Sequence, residues 1–129
     1  MSSQQRLPDL LQHIRQAATD ACGFVSGMSK DAFLADKRTQ QAVILNLVII
    51  GEAATRILNH HAGFAERHAA VPWRSMKGMR NRLAHGYFDI DLDVVWDTVT
   101  IALPNLLASL PSAVADPQGE PPTAKPEAV

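Results

Sequence analysis

Between Asp36 and Asn59 the chain carries apolar side chains on nearly every face of a helix. Val43, Ile44, Leu47, Ile50, Ala54, Ile57 and Leu58 follow the three-four spacing of one buried stripe, while Leu45, Val48, Ile49 and Ala53 fall outside it. A helix apolar most of the way round must bury more than one side. A bundle of four helices covers one broad face of each, so the second face calls for a partner, and a second copy of the chain is the simplest one. The other reading is a central helix inside a single-chain core.

The remaining segments supply the helices that such a bundle needs. Leu7, Leu10, Leu11, Ile14, Ala18, Ala21 and Val25 keep helical spacing, with Pro8 and Asp9 suited to a first turn. Gly23, Gly27 and Ser29 end that helix, and Ser29 can cap a short turn through Asp31, Phe33 and Leu34. Val71-Pro72-Trp73 opens a third helix running through Met76, Met79, Leu83 and Ala84, with Gly86 expected just past its end. Asp89 or Asp91 caps a fourth, with the stripe Leu92, Val95, Trp96, Val99, Leu103, Leu106, Leu107 and Leu110. Pro104 lies inside that stripe and is expected to kink it. The fold expected is all-α: an antiparallel four-helix bundle over residues 1–110, with short extra helical turns. Residues 111–129 are rich in Pro and Ala, net acidic, and read as a disordered tail.

Composition narrows the function. Aromatic residues are 5% of the chain and the formal charge is −1, so blanket coating of nucleic acid by charge is excluded. The charge is nonetheless uneven: Arg67, Arg74, Lys77, Arg80 and Arg82 stand against Glu66 alone before His85, and Asp89, Asp91, Asp93 and Asp97 follow without a base. Cys22 is the single cysteine, which excludes an intrachain disulfide and suits a reducing compartment. The start MSSQQRLPDL has no apolar signal core, and the run Ala42–Gly51, broken by Asn46, reads as too short for a membrane span. A cytoplasmic protein with no membrane association is expected. The adjacent His60 and His61 point in different directions on a helix and make a poor metal pair. No metal or cofactor is expected, and no phosphate loop, nucleophile elbow or paired-carboxylate motif occurs.

The segment Arg80-Asn81-Arg82-Leu83-Ala84-His85-Gly86-Tyr87 concentrates the chemistry. Successive helix residues turn by about 100°, which sets Arg80 and His85 about 140° apart and Asn81 and His85 on one face. Convergence of Arg80 with His85 then requires a fraying last turn or a second copy across a two-fold axis. The residue types suit phosphodiester cleavage. Histidine exchanges protons near neutral pH, arginine grips phosphate, the Asn81 amide can orient an imidazole, and the Tyr87 phenol can stack on a base or donate to phosphate. The plainer reading makes Arg80 and Arg82 a solvated helix face, His85 a residue suited to a helix C-terminus, and Tyr87 and Phe88 core aromatics.

The pattern Arg80-x-x-x-x-His85-x-Tyr87 resembles the signature of HEPN-domain toxins of the HepT type. Phe33-Leu34-Ala35-Asp36-Lys37-Arg38-Thr39-Gln40, Ile50-Gly51-Glu52-Ala53-Ala54, Pro72-Trp73, Gly78-Met79-Arg80-Asn81 and Asp91-Leu92-Asp93-Val94-Val95-Trp96 resemble its other landmarks in order. The likeness covers roughly residues 7–110 and shows no departure from the motif. It implies a homodimeric, metal-independent endoribonuclease with a composite cleft. Arg80 would hold phosphate, His85 would be the acid and base, Asn81 would assist, and Arg74, Lys77 and Arg82 would lie along the RNA. It also implies an antitoxin of the MntA nucleotidyltransferase type that transfers AMP to Tyr87. Glu52 in an aliphatic helix reads as a buried carboxylate paired with Arg56 or an arginine of the third helix, or as the residue that orients Arg80. The alternative function is a non-catalytic helical module that docks a nucleotidyltransferase.

Overall fold

The computed structural model describes residues 6–114. Four long helical stretches carry the architecture: α1 (Leu7–Phe24), α3 (Lys37–His60), α5 (Trp73–His85), and a last stretch built from α6 (Leu92–Asp97), a π turn (Thr98–Ala102) and α7 (Leu103–Val114). Short helices α2 (Lys30–Leu34) and α4 (Ala62–Arg67) and a 3₁₀ turn (Tyr87–Asp89) join them. The described residues contain no strand. The all-α bundle expected from the spacing is the fold observed. The expected disordered tail falls largely outside the described residues.

Local chemistry explains the boundaries. Ser29 Oγ accepts from the Ala32 N–H at 3.0 Å to start α2. Asp36 starts α3 by accepting from the Thr39 N–H at 3.0 Å and the Thr39 hydroxyl at 2.8 Å. Of the two candidates for the last stretch it is Asp91 that caps, accepting from the Asp93 and Val94 N–H groups. Gly27 turns the chain with φ 79°, a conformation that glycine adopts without a Cβ clash. Gly86 differs from expectation: it ends α5 at φ −127°, not in the left-handed region. Pro104 acts through register. Its missing N–H interrupts the α pattern, and the turn before it widens so that the Leu103 N–H reaches Thr98 O, five residues back.

α3 is the central helix. It packs against α1 on one side and α5 on the other, and α7 closes against α1. Leu10 of α1 lines a groove with Ala53 of α3, and Leu58 at the end of α3 lies near Trp73 at the start of α5, so each neighbour runs antiparallel to it. The core collects Ile14, Val43, Leu47, Ile50, Ile57, Trp73, Leu83, Val95, Val99 and Leu110, with Phe33 and Trp96 in ring contact at 5.3 Å. With 24 residues, α3 is long and apolar enough to cross a bilayer, contrary to the reading from its interrupted aliphatic run, but half of its most apolar window is buried within the bundle.

The face of α3 left outside the bundle is partly apolar. Leu45 is 60% exposed and Ile49 is 38% exposed, and one helical turn separates them. The next turn along brings Glu52 and Arg56 to the same face.

Candidate active site

α5 presents the chemical residues, and its own sequence decides how they are distributed. Trp73, Met76 and Leu83 turn into the core. Arg80 lies at the edge of that buried face, against α3, with 22% of its side chain exposed. Gly51 allows this. A Cβ built at Gly51 would run into the Cβ of Arg80 and come within 2.6 Å of the Met76 carbonyl oxygen. The two helices therefore meet backbone to side chain at this point, and only glycine fits.

Glu52, the next residue, reaches over the contact. Its Oε1 lies 3.4 Å from Arg80 Nη2, and its Oε2 accepts from Arg56 Nε at 3.2 Å. Both arginine partners considered for Glu52 are thus engaged at once. The carboxylate is 46% exposed, so the premise that it is buried does not hold: its position in an aliphatic run puts it on the solvent face. Arg80 Nε is buried with no hydrogen-bond partner among the described residues, and the contact with Glu52 lies at Nη2.

His85 is the last residue of α5 and is exposed, with Gly86 ending the helix behind it. Tyr87 and Phe88 follow on the 3₁₀ turn. They are 61% and 88% exposed, which removes the reading of core aromatics, and their rings lie 4.5 Å apart. Asn81 is partly buried, and no hydrogen bond joins its amide to the His85 ring among the described residues. Lys77 is partly exposed, about 60° around the axis of α5 from Arg80.

The other two arginines lie elsewhere. Arg74 is near the start of α5, lining a depression with Glu66, Leu58 and Trp73. Arg82 is about 160° around the axis from Arg80. It lines a groove with Met79, Thr98 and Leu103 and makes only a weak 3.9 Å contact to Met79 Sδ. One chain therefore joins Arg80 to Glu52 and, through it, to Arg56, while Arg74 and His85 lie at opposite ends of α5 and Arg82 lines a different groove from Arg74.

Gly51 is the residue that the sequence reading left out of the site, and Arg56 entered it only as a partner for Glu52. A lone glycine inside an aliphatic helix was the available signal for the first, and the four-residue spacing from Glu52 for the second. Among the described residues no group of three or more His, Cys, Asp or Glu side chains could hold a metal ion.

Comparison with known proteins identifies the family. A family model described as "Ribonuclease HepT-like" matches residues 14–112. "Putative RNase MJ0127" of Methanocaldococcus jannaschii is 36% identical over 88% of this chain and 88% of its own. "Probable ribonuclease HepT" of Thermococcus cleftensis is 42% identical over 76% of this chain and 86% of its own. "Putative RNase TTE0752" of Caldanaerobacter subterraneus subsp. tengcongensis is 35% identical over 74% of this chain and 83% of its own. No solved structure matches significantly. On the family match and the identity to these relatives, the chain belongs to the HepT-like ribonuclease family.

Proposed function

We propose that this protein is a metal-independent endoribonuclease that acts as a homodimer, the toxin of a pair whose antitoxin is a nucleotidyltransferase of the MntA type. The observation that carries the reading is the split of the motif over one helix. Glu52 and the Gly51 contact hold Arg80 against α3, while His85 faces solvent on another side of α5. One subunit leaves the pair apart; a second copy placed across the exposed face of α3 and α5 supplies the missing group. The apolar pair Leu45 and Ile49 on that face gives such a contact something to bury.

In the shared cleft a neutral His85 takes the proton of a ribose 2′-hydroxyl. The 2′-oxygen then bonds to the adjacent phosphorus, the P–O5′ bond breaks, and the partner's His85, protonated, gives its proton to the leaving 5′-oxygen. The two Arg80 guanidiniums sit where negative charge builds on the phosphate. Products are a 2′,3′-cyclic phosphate and a 5′-hydroxyl. Asn81 assists from the same face as His85, and Lys77, Arg74 and Arg82 meet phosphates further along the strand.

Tyr87 is open to solvent beside this cleft, as a modification target must be. Transfer of AMP from ATP bonds the phenolic oxygen to the α-phosphorus and releases pyrophosphate. The bulky anion it leaves would compete with RNA for the arginines. The same exposure, with the formal charge of −1, also suits a module that only docks the transferase.

The deciding experiment incubates the purified protein with RNA in EDTA and analyses the fragment ends. Cyclic phosphate ends from the wild type, and none from His85→Ala with the dimer intact, are expected. Undiminished cleavage by His85→Ala defeats the reading, and no cleavage by the wild type with tight transferase binding favours the docking module.

A further inference from the structure

We propose that Phe88 is a base-stacking residue, whose ring, paired with that of Tyr87, receives an unpaired nucleobase of the RNA beside the scissile phosphate. The inference rests on the ribonuclease reading and adds a residue outside the motif.

Phe88 is the most exposed large apolar side chain among those described, at 88%. Isolated exposed apolar residues are common, so exposure alone says little. Position says more. Phe88 is three residues past His85 on the turn Tyr87–Asp89, and the Asp89 N–H closes that turn on the Gly86 carbonyl at 2.9 Å. The closure holds both aromatic rings on one short arc, 4.5 Å between centroids and tilted by 40°. Each ring already covers part of the other, so an incoming base stacks on the open face of Phe88 at the mouth of the proposed cleft.

Charge identifies the occupant. A chain with formal charge −1 gains little RNA affinity from phosphate contacts alone, and stacking supplies affinity that does not depend on net charge. The residues after the turn also direct the strand. Asp89, Asp91, Asp93 and Asp97 follow with no base among them, and Lys30, 3.2 Å from Asp93, offsets one of the four charges. A phosphate chain is repelled from α6, so its path from Phe88 leads back along α5 toward Arg80 and Lys77. Stacking needs an unpaired base, because a base inside a duplex already has both faces covered.

The test uses single-stranded 2′-O-methyl RNA, which lacks the attacking hydroxyl and reports binding without cleavage. Anisotropy titration of Phe88→Ala is expected to show affinity weakened by about tenfold, the scale of one stacked base. Phe88→Trp is expected to restore it, and an abasic strand of equal length to show no difference between the variants. With cleavable RNA, Phe88→Ala should raise KM by a similar factor while kcat changes far less, as for a contact made equally in ground and transition states.

Equal binding by the wild type and Phe88→Ala overturns the proposal. So does an equal loss on the abasic strand, dissociation of the dimer (which makes the ring an interface residue), or a defect confined to transferase binding. Cleavage by the wild type with no Phe88 dependence sinks the stacking role and leaves the ribonuclease. Phe88-dependent binding without cleavage does the reverse.

Discussion

Gly51 and Arg80 share one contact: the space that a Cβ on Gly51 would occupy is filled by the Arg80 side chain and the Met76 carbonyl. The missing methyl group lets α5 approach α3, and that approach puts the Arg80 guanidinium within reach of Glu52.

Gly51→Ala is therefore expected to push the helices apart. Helix propensity favours alanine, but overpacking of a rigid contact costs about 1–3 kcal/mol. Denaturant unfolding should show a lower midpoint. Cleavage should fall by more than the loss of folded protein explains, because Arg80 is displaced with its backbone. A Gly51→Ala protein as stable and active as the wild type would show that the close approach is dispensable.

Glu52→Gln should separate positioning from stability. The pair is only partly buried and Glu52 is half exposed, so its contribution stays at about 0–1 kcal/mol, as for a surface pair, and the melting temperature should barely move. Activity should drop between about tenfold and a hundredfold, the scale set by misplacing a catalytic group. Arg80→Lys should lose activity too, because an ammonium keeps the charge without the fork. Unchanged kcat/KM in Glu52→Gln would make the carboxylate a surface feature only.

Ile49→Glu, alone or with Leu45→Glu, puts charge on the exposed stripe of α3. The subunit should keep its helical circular dichroism, since exposed substitutions shift stability by only about 0.5 kcal/mol. Sedimentation should reveal monomers where the wild type is a dimer, and cleavage should disappear with the dimer. Persistent dimers would place the interface elsewhere.

Tyr87→Phe removes the nucleophilic oxygen and keeps an aromatic ring. With the nucleotidyltransferase and ATP, the wild type should gain the mass of an adenylyl group and stop cleaving. The variant should gain nothing and stay active. Mass spectrometry of the intact protein reads the outcome directly, and adenylylation of the phenylalanine variant would move the acceptor to another residue.

Asp36 links the start of α3 to pH. Its backbone bond from Thr39, followed by the Thr39 hydroxyl, holds the carboxyl below its ordinary value of 3.8. A group depressed in the folded state stabilises above its unfolded value and loses that contribution as pH falls through the folded one. Asp36→Asn keeps a cap but no charge. The stability gap between wild type and Asp36→Asn should thus be constant above about pH 5 and narrow in acid. A gap that ignores pH would mean the carboxylate charge adds nothing to the cap.

Much of the fold is legible because helices announce themselves locally. The spacing of Leu7 to Val25 and of Val43 to Leu58 requires no knowledge of neighbours, and Ser29 and Asp36 cap by bonding groups three residues away. Pro104 was legible as a disturbance but not in form. Whether a helix kinks or widens into a π turn depends on what packs beside it, here α1, whose Cys22 thiol points at the Val99 carbonyl at 3.7 Å. The site was legible as types in order, Arg80, His85 and Tyr87, because these lie on a single helix and the turn after it.

The order of residues alone determined which segments are helical, where they are capped, and which side chains belong to the chemical segment, since each rests on interactions within about one turn. Tertiary structure alone decided that Gly51 lies under Arg80, that Glu52 is half exposed and holds two arginines, and that Phe88 faces solvent. Those facts depend on how closely α3 and α5 approach and at what rotation. That relation joins residues about thirty positions apart, and it is set by packing, which no local spacing encodes.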